Sequence, residues 1–186
     1  MKFLKKPFVA VLLTIATVLC STAISINIKL NNKCESIIDE FYEGGIAQGI
    51  VFDSTYGNLC SMYELAEEIV LVADNYGVDT RELSSSISTL KEALNYKNSD
   101  MSEIYSDYSD FYSSLRAVEI ELSNIQLSQR HMEYMNSASG QIAYLKSCVD
   151  NSNYNESLRT FYKKFDRFPV NVFADIFNID YPEYFA

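Results

Sequence analysis

The sequence predicts an all-α protein: an N-terminal transmembrane helix, then an elongated antiparallel bundle of about four helices with a short C-terminal helix. The first observation behind this prediction is an apolar run over residues 8–28 that contains no Asp, Glu, Lys or Arg. The second is the recurrence of apolar residues every three or four positions through most of the remaining chain. That spacing is the period of an amphipathic helix.

The apolar run has the length of a membrane span. Its 21 residues cover about 31 Å as a helix, close to the ~30 Å hydrocarbon core of a bilayer. It contains five hydroxyl side chains that can bond back to helix carbonyl groups and so cost little in lipid: Thr14, Thr17, Ser21, Thr22 and Ser25. We therefore predict that residues 1–28 form a basic segment and a transmembrane anchor, and that residues 29–186 form one helical domain.

A cleaved signal peptide is the alternative interpretation of the same run. A basic start, an apolar stretch and the small residues Ser21 and Ala23 fit that template. Cleavage near Ala23 would release a secreted helical binding module. Retention is favoured because apolar residues continue past this position through Ile24, Ile26 and Ile28, and an amphipathic pattern follows directly.

Lysines on the two sides of the run predict its orientation. Lys2, Lys5 and Lys6 precede it, whereas Lys29 and Lys33 follow it. Because the more basic flank stays in the cytoplasm, we expect a single-pass protein of the cell membrane. Its N-terminus is expected to be cytoplasmic and its bundle extracytoplasmic.

The composition of the domain narrows the classes of function. Residues 29–186 are enough for one domain with a real core, and they carry 12 basic and 25 acidic side chains. An acidic domain disfavours nucleic acid as a partner, because the phosphate backbone is bound by basic groups. It also argues against a domain that lies flat on an anionic leaflet.

Four cysteines are present, and none belongs to a recognisable metal or redox motif. Cys20 lies in the apolar run directly after Leu19, where a lipidation site would need a small residue. Cys34, Cys60 and Cys148 have unrelated spacings and no paired His, which argues against zinc. We expect all three to be small buried residues, although one pair could form a disulfide if the domain is extracytoplasmic.

The first amphipathic helix is predicted to continue directly from the apolar run. Its apolar residues at helical spacing are Leu30, Cys34, Ile37, Ile38 and Phe41. Gly44, Gly45 and Gly49 follow, and each glycine costs roughly 1 kcal/mol relative to Ala inside a helix. A bend or loop is therefore expected at these glycines.

The next two helices have predicted end signals. The second helix covers residues 55–76 and ends at Gly77, a residue type suited to the position after a helix. The third begins at Asp79, because Asp79 and Glu82 form a variant of the capping box.

Residues 95–100, with the sequence NYKNSD, leave two arrangements open. If they are only a polar patch, residues 79–122 form one long helix, and Tyr181, Tyr184 and Phe185 lie near the lipid headgroups. If they are a reversal, the same aromatic residues lie at the far end of the bundle. We favour the long helix because the segment contains no Gly or Pro.

The C-terminal part is predicted to be helical and to end in a docked tail. A helix follows a break near residues 123–124, is interrupted near residues 151–153, and stops at Pro169, which removes a hydrogen-bond donor. Residues 170–177 form a short helix, and Asn171 is expected to bond local backbone groups at this corner. Nine aromatic residues lie between Phe161 and Phe185, too much apolar surface to remain solvated.

No pattern in the sequence predicts catalysis. His131, the only histidine, has no carboxylate or cysteine in a readable motif, and a general base needs an orienting partner. Residues 102–114 alternate Ser, Asp and Tyr but lack the geometry of a calcium loop. We predict no enzyme activity, no catalytic or cofactor-binding residues, and no metal. The expected partners are membrane lipid, through residues 8–28, and an unidentified protein, with no nucleic acid and no small-molecule substrate.

Aromatic, Asn and Pro residues near the C-terminus occur in a recognisable order: Tyr154-Asn155, Leu158, Phe161-Tyr162, Phe168-Pro169, Asn171, Ala174, Phe177 and Tyr184-Phe185. Earlier matches are Ile142-Ala143 with Lys146, and Gly57-Asn58-Leu59. On these residues the chain resembles the LemA family of bacterial membrane-anchored helical proteins. It departs from the family at Asn178, where the family has glycine, and at residues 50–52, which lack the family's basic pair. It also has a few extra residues between Lys146 and Tyr154.

The resemblance implies an N-terminal span followed by an elongated antiparallel helical bundle. It implies no activity, because the family has no established catalytic chemistry. Together with the residue patterns, it leads to the hypothesis of a membrane-anchored helical interaction or scaffold protein without catalytic activity.

Overall fold

The computed structural model describes residues 7–47, 50–95 and 100–186. The helices are α1 Pro7–Glu43, α2 Thr55–Asn75, α3 Arg81–Asn95, α4 Met101–Ser123, α5 Gln129–Asp150, α6 Tyr154–Phe165 and α7 Val170–Phe177. The strands are β1 Gly45–Ala47 and β2 Ile50–Phe52. The predicted all-α class is confirmed, with one short hairpin added to it.

The longest helix, α1, joins the apolar run to the rest of the protein without a break. Residues 10–22 are exposed on every side, and partial burial begins at Ala23 and Ile26. Further along the same helix, Leu30, Ile37 and Phe41 are fully buried. We call the packed region formed by residues 29–186 the helical body, and α1 belongs both to it and to the exposed apolar segment.

A β-hairpin occupies the place where the glycines predicted a bend or loop. β1 and β2 are antiparallel, with Ile46 opposite Val51. Gly44 ends α1 with a φ of 78°, a left-handed conformation that favours glycine. The β-branched Ile and Val suit strands, but runs of three residues are too short to show a strand period in the sequence. Gly49 lies outside the described residues.

The predicted end of α2 is confirmed, and the predicted start of α3 is wrong. Gly77 has a φ of 72°, and the Val78 N–H bonds the Ala73 carbonyl at 3.2 Å, which closes α2 with a Schellman motif. α3 begins at Arg81 instead of in a capping box at Asp79. The Asp79 carboxylate accepts from the Arg81 N–H at 3.1 Å and also binds the Arg81 guanidinium, so it does not cap a residue three positions on.

The prediction of one long helix over residues 79–122 is wrong. α3 ends at Asn95, and α4 begins at Met101 with Asp100 as its N-cap, whose carboxylate accepts from the Ser102 N–H at 2.8 Å. The two helices pack side by side, and the hydroxyl oxygens of Ser86 and Ser114 lie 2.6 Å apart. The chain therefore reverses between Asn95 and Asp100; residues 96–99 themselves lie outside the described residues. Because Asp100 caps the start of a new helix, the helical pattern is interrupted here without any Gly or Pro.

α2 and α5 run in opposite directions. Tyr76 at the end of α2 contacts His131 at the start of α5, while Asn58 and Cys148 line one cavity at the opposite ends. A second reversal, at residues 151–153, then leads from α5 into α6. This interruption was predicted.

α6 runs back along α1 toward the apolar segment. The Tyr154 ring at the start of α6 lies 5.6 Å from the Phe41 ring, and Tyr162 is close enough to the Cys34 thiol to interact electrostatically. α7 follows α6 and also packs on α1, with Ala174 buried. The turn between α6 and α7 therefore lies at the end of the body nearest the apolar segment.

The C-terminal tail returns along α6 and ends in the core. Phe185 is buried with its ring 5.3 Å from that of Phe41, and the Asn155 amide bonds both the Phe185 N–H and its carbonyl. The prediction of a docked tail is confirmed. The favoured position of Phe185 near the headgroups is wrong, because Phe41 lies about 20 Å beyond Ile28 along α1.

Candidate functional site

The exposed part of α1 is the first candidate site. Within the described residues, α1 is the one helix long and apolar enough to cross a membrane. Its most apolar window of 18 residues has a mean hydropathy of 2.3, and none of that window is buried in the protein. By length and composition, such an N-terminal helix is a membrane anchor or a signal sequence.

Hydroxyl groups in this segment are satisfied by the helix itself. Four of the five predicted side chains bond a carbonyl oxygen four residues earlier at 2.8–3.0 Å: Thr14, Thr17, Ser21 and Thr22. A hydroxyl bonded in this way presents little unsatisfied polarity to lipid. The segment therefore presents an apolar surface even where its sequence contains these hydroxyl side chains.

The opposite end of the body carries exposed apolar side chains. Ile46 and Val51, which face each other across the hairpin, are 75% and 74% exposed. Tyr144 on α5 is 64% exposed and lines the same shallow cavity as Val51, with a volume of about 300 Å³. We call Ile46, Val51 and Tyr144 the far face. No pattern in the sequence predicted the far face; the available signal was two β-branched residues next to glycines.

A hydroxyl and a thiol lie together beside the far face. Tyr144 bonds the Cys148 thiol, and this bond, followed by the charge of Asp53, raises the pKa of the Tyr144 hydroxyl. The hydroxyl is therefore neutral at physiological pH. The far face therefore presents apolar side chains and a neutral Tyr144 hydroxyl.

His131 lies where the start of α5 contacts the end of α2. Its Nδ1 atom lies 2.9 Å from the Tyr76 hydroxyl oxygen, which also accepts from the Ser128 N–H at 2.9 Å. Hydrogen bonds from Ser128 lower the pKa of Tyr76. Together these contacts fix the start of α5 against the end of α2, and no carboxylate in the described part of the chain hydrogen-bonds the ring.

Acidic side chains line a groove between α3 and α4. Glu82, Asp107 and Asp110 border a cavity of about 490 Å³ together with serine and threonine hydroxyls. Burial raises the pKa of Asp107, and the charges of Glu103 and Asp110 add to the shift. In the described part of the chain, no group of three or more His, Cys, Asp or Glu side chains has a geometry that could hold a metal ion.

The cysteines are all free, and their burial differs. Cys34 is buried as predicted, and burial raises the pKa of its thiol to about 11, so it is a poor nucleophile. Cys60 and Cys148 are only half-buried, and Cys20 is exposed on the apolar segment. The structure brings no two of them together as a disulfide.

Fold and surface define a helical protein with one N-terminal helix that is able to cross a membrane. No family model, curated protein or solved structure matches the chain. The function proposed below therefore rests on geometry and physical chemistry.

Proposed function

We propose that the protein is a single-pass membrane protein whose helical body serves as an interaction or scaffold module without catalytic activity. The observation that carries this proposal is the continuity of α1, which presents an exposed apolar segment and then supplies Leu30, Ile37 and Phe41 to the core. An unbroken helix fixes the body relative to the bilayer. The lysine distribution supports a cytoplasmic N-terminus and a body outside the cytoplasm.

The far face supports an interaction role. Residues 29–43 of α1 rise about 22 Å, so the hairpin at their end stands clear of the bilayer surface. Ile46 and Val51 contribute nothing to the core at this exposure. Apolar side chains grouped on an otherwise acidic surface are typical of protein interaction sites, so the proposed partner is a protein with an apolar contact surface.

Membership of the LemA family remains part of the proposal. Tail docking supports it, because residues that carry the resemblance hold the tail backbone. The Tyr154 hydroxyl donates to the Glu183 carbonyl at 2.6 Å, and the Tyr162 hydroxyl donates to the Pro182 carbonyl at 3.1 Å. Tyr154 and Tyr162, which carry the resemblance, therefore both hold the tail backbone against α6.

Membrane retention and an intact mass test the anchor. The full-length protein should stay in the membrane pellet through alkaline washing, with the mass of the uncleaved chain. Cleavage after Ala23 would leave Leu30, Cys34, Ile37 and Phe41 in the body, so the secreted form would keep its core. Recovery in the wash with a mature N-terminus at Ile24 would therefore establish the secreted module instead.

Site-specific cross-linking tests the far face. A photo-reactive amino acid at Val51 should give a discrete adduct in native membranes, and Ile46→Asp in the same chain should remove it. Ser88, exposed on α3, is the matched control position. Equal adducts from Val51 and Ser88, or none from either, would exclude the far face as the interaction site while leaving the anchor untouched.

A further inference from the structure

α7 and the turn before it present an apolar stripe that the protein does not cover. Phe168, in the turn before α7, is 83% exposed, and Val172 and Ile176 within α7 are 43% and 67% exposed. The four-residue spacing of Val172 and Ile176 places them on one side of α7, while Ala174 faces the body. Together with Phe168 they make three large exposed apolar side chains within nine residues, more than the scattered exposure normal for a protein surface.

The position of α7 relative to α1 suggests what covers this stripe. α6 descends along α1 from Phe41 toward Cys34, and α7 follows it and packs on α1. The buried side of α1 continues toward the apolar segment as far as Ala23. Ala23 lies about 8 Å below Ile28 along the helix, within the ~5–10 Å depth at which interfacial helices insert.

Among the residues that the structure describes, the basic side chains near α7 form no ion pair with a carboxylate. The ion pairs of the described residues use Arg81, Lys91, Arg116, Lys146 and Arg159. No ion pair in that part of the chain involves the cations around the exit of α1 and the end of α6: Lys29, Lys33, Lys163, Lys164 and Arg167. Between residues 163 and 177 the acidic residues are Asp166 and Asp175, against three basic ones, so this corner carries a net positive charge on an otherwise acidic body.

We infer that α7 is an interfacial helix that lies on the bilayer crossed by α1. Phe168, Val172 and Ile176 enter the boundary between headgroups and acyl chains, and Lys163, Lys164 and Arg167 contact anionic lipid phosphates. This inference rests on the proposed membrane anchor and deepens it by naming a second lipid contact. The acidic body does not lie flat on the leaflet; one short helix touches it.

Single tryptophans test this contact, because the chain contains none. Three variants of the full-length protein are reconstituted in vesicles of phosphatidylcholine and phosphatidylglycerol: Ile176→Trp, Val18→Trp and Tyr144→Trp. Tyr144 matches Ile176 in exposure but lies at the far face. Quenching is measured with lipids that carry a nitroxide at the headgroup or deep in the acyl chain, and with iodide in the water.

Each outcome separates the inference from the anchor. Headgroup nitroxide should quench Ile176→Trp, deep nitroxide should quench Val18→Trp, and only iodide should quench Tyr144→Trp. If Val18→Trp behaves as expected while Ile176→Trp is quenched by iodide alone, or by no agent, the interfacial helix is refuted and the anchor stands. If Val18→Trp escapes lipid quenching, the anchor itself is refuted.

Charge reversal identifies the lipid chemistry. In the Ile176→Trp chain, Lys163→Glu, Lys164→Glu and Arg167→Glu should each weaken the headgroup contact about fivefold or more in anionic vesicles, and little in neutral ones. Arg159→Glu, one turn earlier on α6, is the control. Equal effects of all four substitutions, with unchanged melting of the body, would exclude specific contact of these cations with anionic lipid.

Discussion

The two halves of α1 differ both in composition and in environment. Residues 10–22 are exposed on every side, whereas Leu30, Ile37 and Phe41 on the same unbroken helix are fully buried. The first half is apolar all round, and the second is apolar on one stripe only. The half that is apolar on every side is left uncovered by the body, whereas the half with one apolar stripe among charged residues is buried along that stripe.

Truncation of a buried side chain of α1 should give the largest difference in stability between its two halves. Phe41 contacts the rings of Tyr154 and Phe185, so Phe41→Ala should lower the free energy of unfolding of the body by about 3–5 kcal/mol. Val18→Ala in the exposed half should leave it unchanged. Denaturant unfolding in mild detergent measures both. Equal destabilisation would mean that the first half also packs in the body.

The C-terminal tail packs against the buried half of α1, so the same comparison of buried and exposed side chains applies to tail residues. Phe185→Ala should destabilise the body by about 3 kcal/mol, because its ring fills the space beside Phe41, Tyr105 and Tyr108. Tyr184→Ala removes a partly exposed ring that stacks on Tyr162 and should cost about 1 kcal/mol. Protease should release the tail faster only in the Phe185 variant. A reversed order would contradict the docking.

Sequence patterns were sufficient wherever the signal was local. The apolar run, the Gly77 terminus and the helices around Tyr154 follow from composition and period alone. The reversal at Asn95 was missed because an Asp cap is a weaker signal than Gly or Pro. The reversals at Asn95 and at residues 151–153 cancel in direction, so α6 still runs toward the apolar segment. Phe185 lies at the opposite end because the tail after α7 turns back along α6.

The exposed surfaces were harder to predict, because exposure depends on which neighbours the fold supplies. The pattern of residues 170–177 predicts a short helix but not which of its apolar residues stay exposed, and Ile46 and Val51 lie in strands too short to show a period. Only the three-dimensional arrangement shows that these side chains lack a cover within the described residues.

The corner between α6 and α7 connects the body to its apolar end. The Asn171 side-chain oxygen accepts from the Val172 N–H at 2.9 Å, so Asn171→Leu should lower stability by about 1 kcal/mol and loosen α7. Asn178→Gly is the control: its φ of 51° suits glycine, so the melting temperature should not fall by a comparable amount. An unchanged melt for Asn171→Leu, with equal protease resistance of the last 20 residues, would show that the corner has no such role.

Two carboxylates outside the apolar segment give the smallest effects, with opposite signs. Burial raises the folded pKa of Asp107, so its charge costs stability at neutral pH, and Asp107→Asn should raise the melting temperature there. The gain should vanish as pH falls through the raised pKa.

Hydrogen bonds from Arg81 lower the pKa of Asp79 to about 2, so Asp79→Asn should lower the melting temperature at neutral pH. That loss should shrink as pH falls from about 3.8 toward 2. Two shifts of the same sign would contradict these environments.

Cys20 offers the most direct measurement of the proposed span. With Cys34, Cys60 and Cys148 changed to Ala, the native Cys20 remains on the surface of the apolar half. A water-soluble maleimide on both sides of the vesicles should leave Cys20 unmodified until denaturing detergent is added, because lipid covers it. Ser88→Cys in the same background without Cys20 should react at once. Equal reactivity of the two thiols in intact vesicles, or a mature chain that lacks Cys20, would contradict a span formed by the first half of α1.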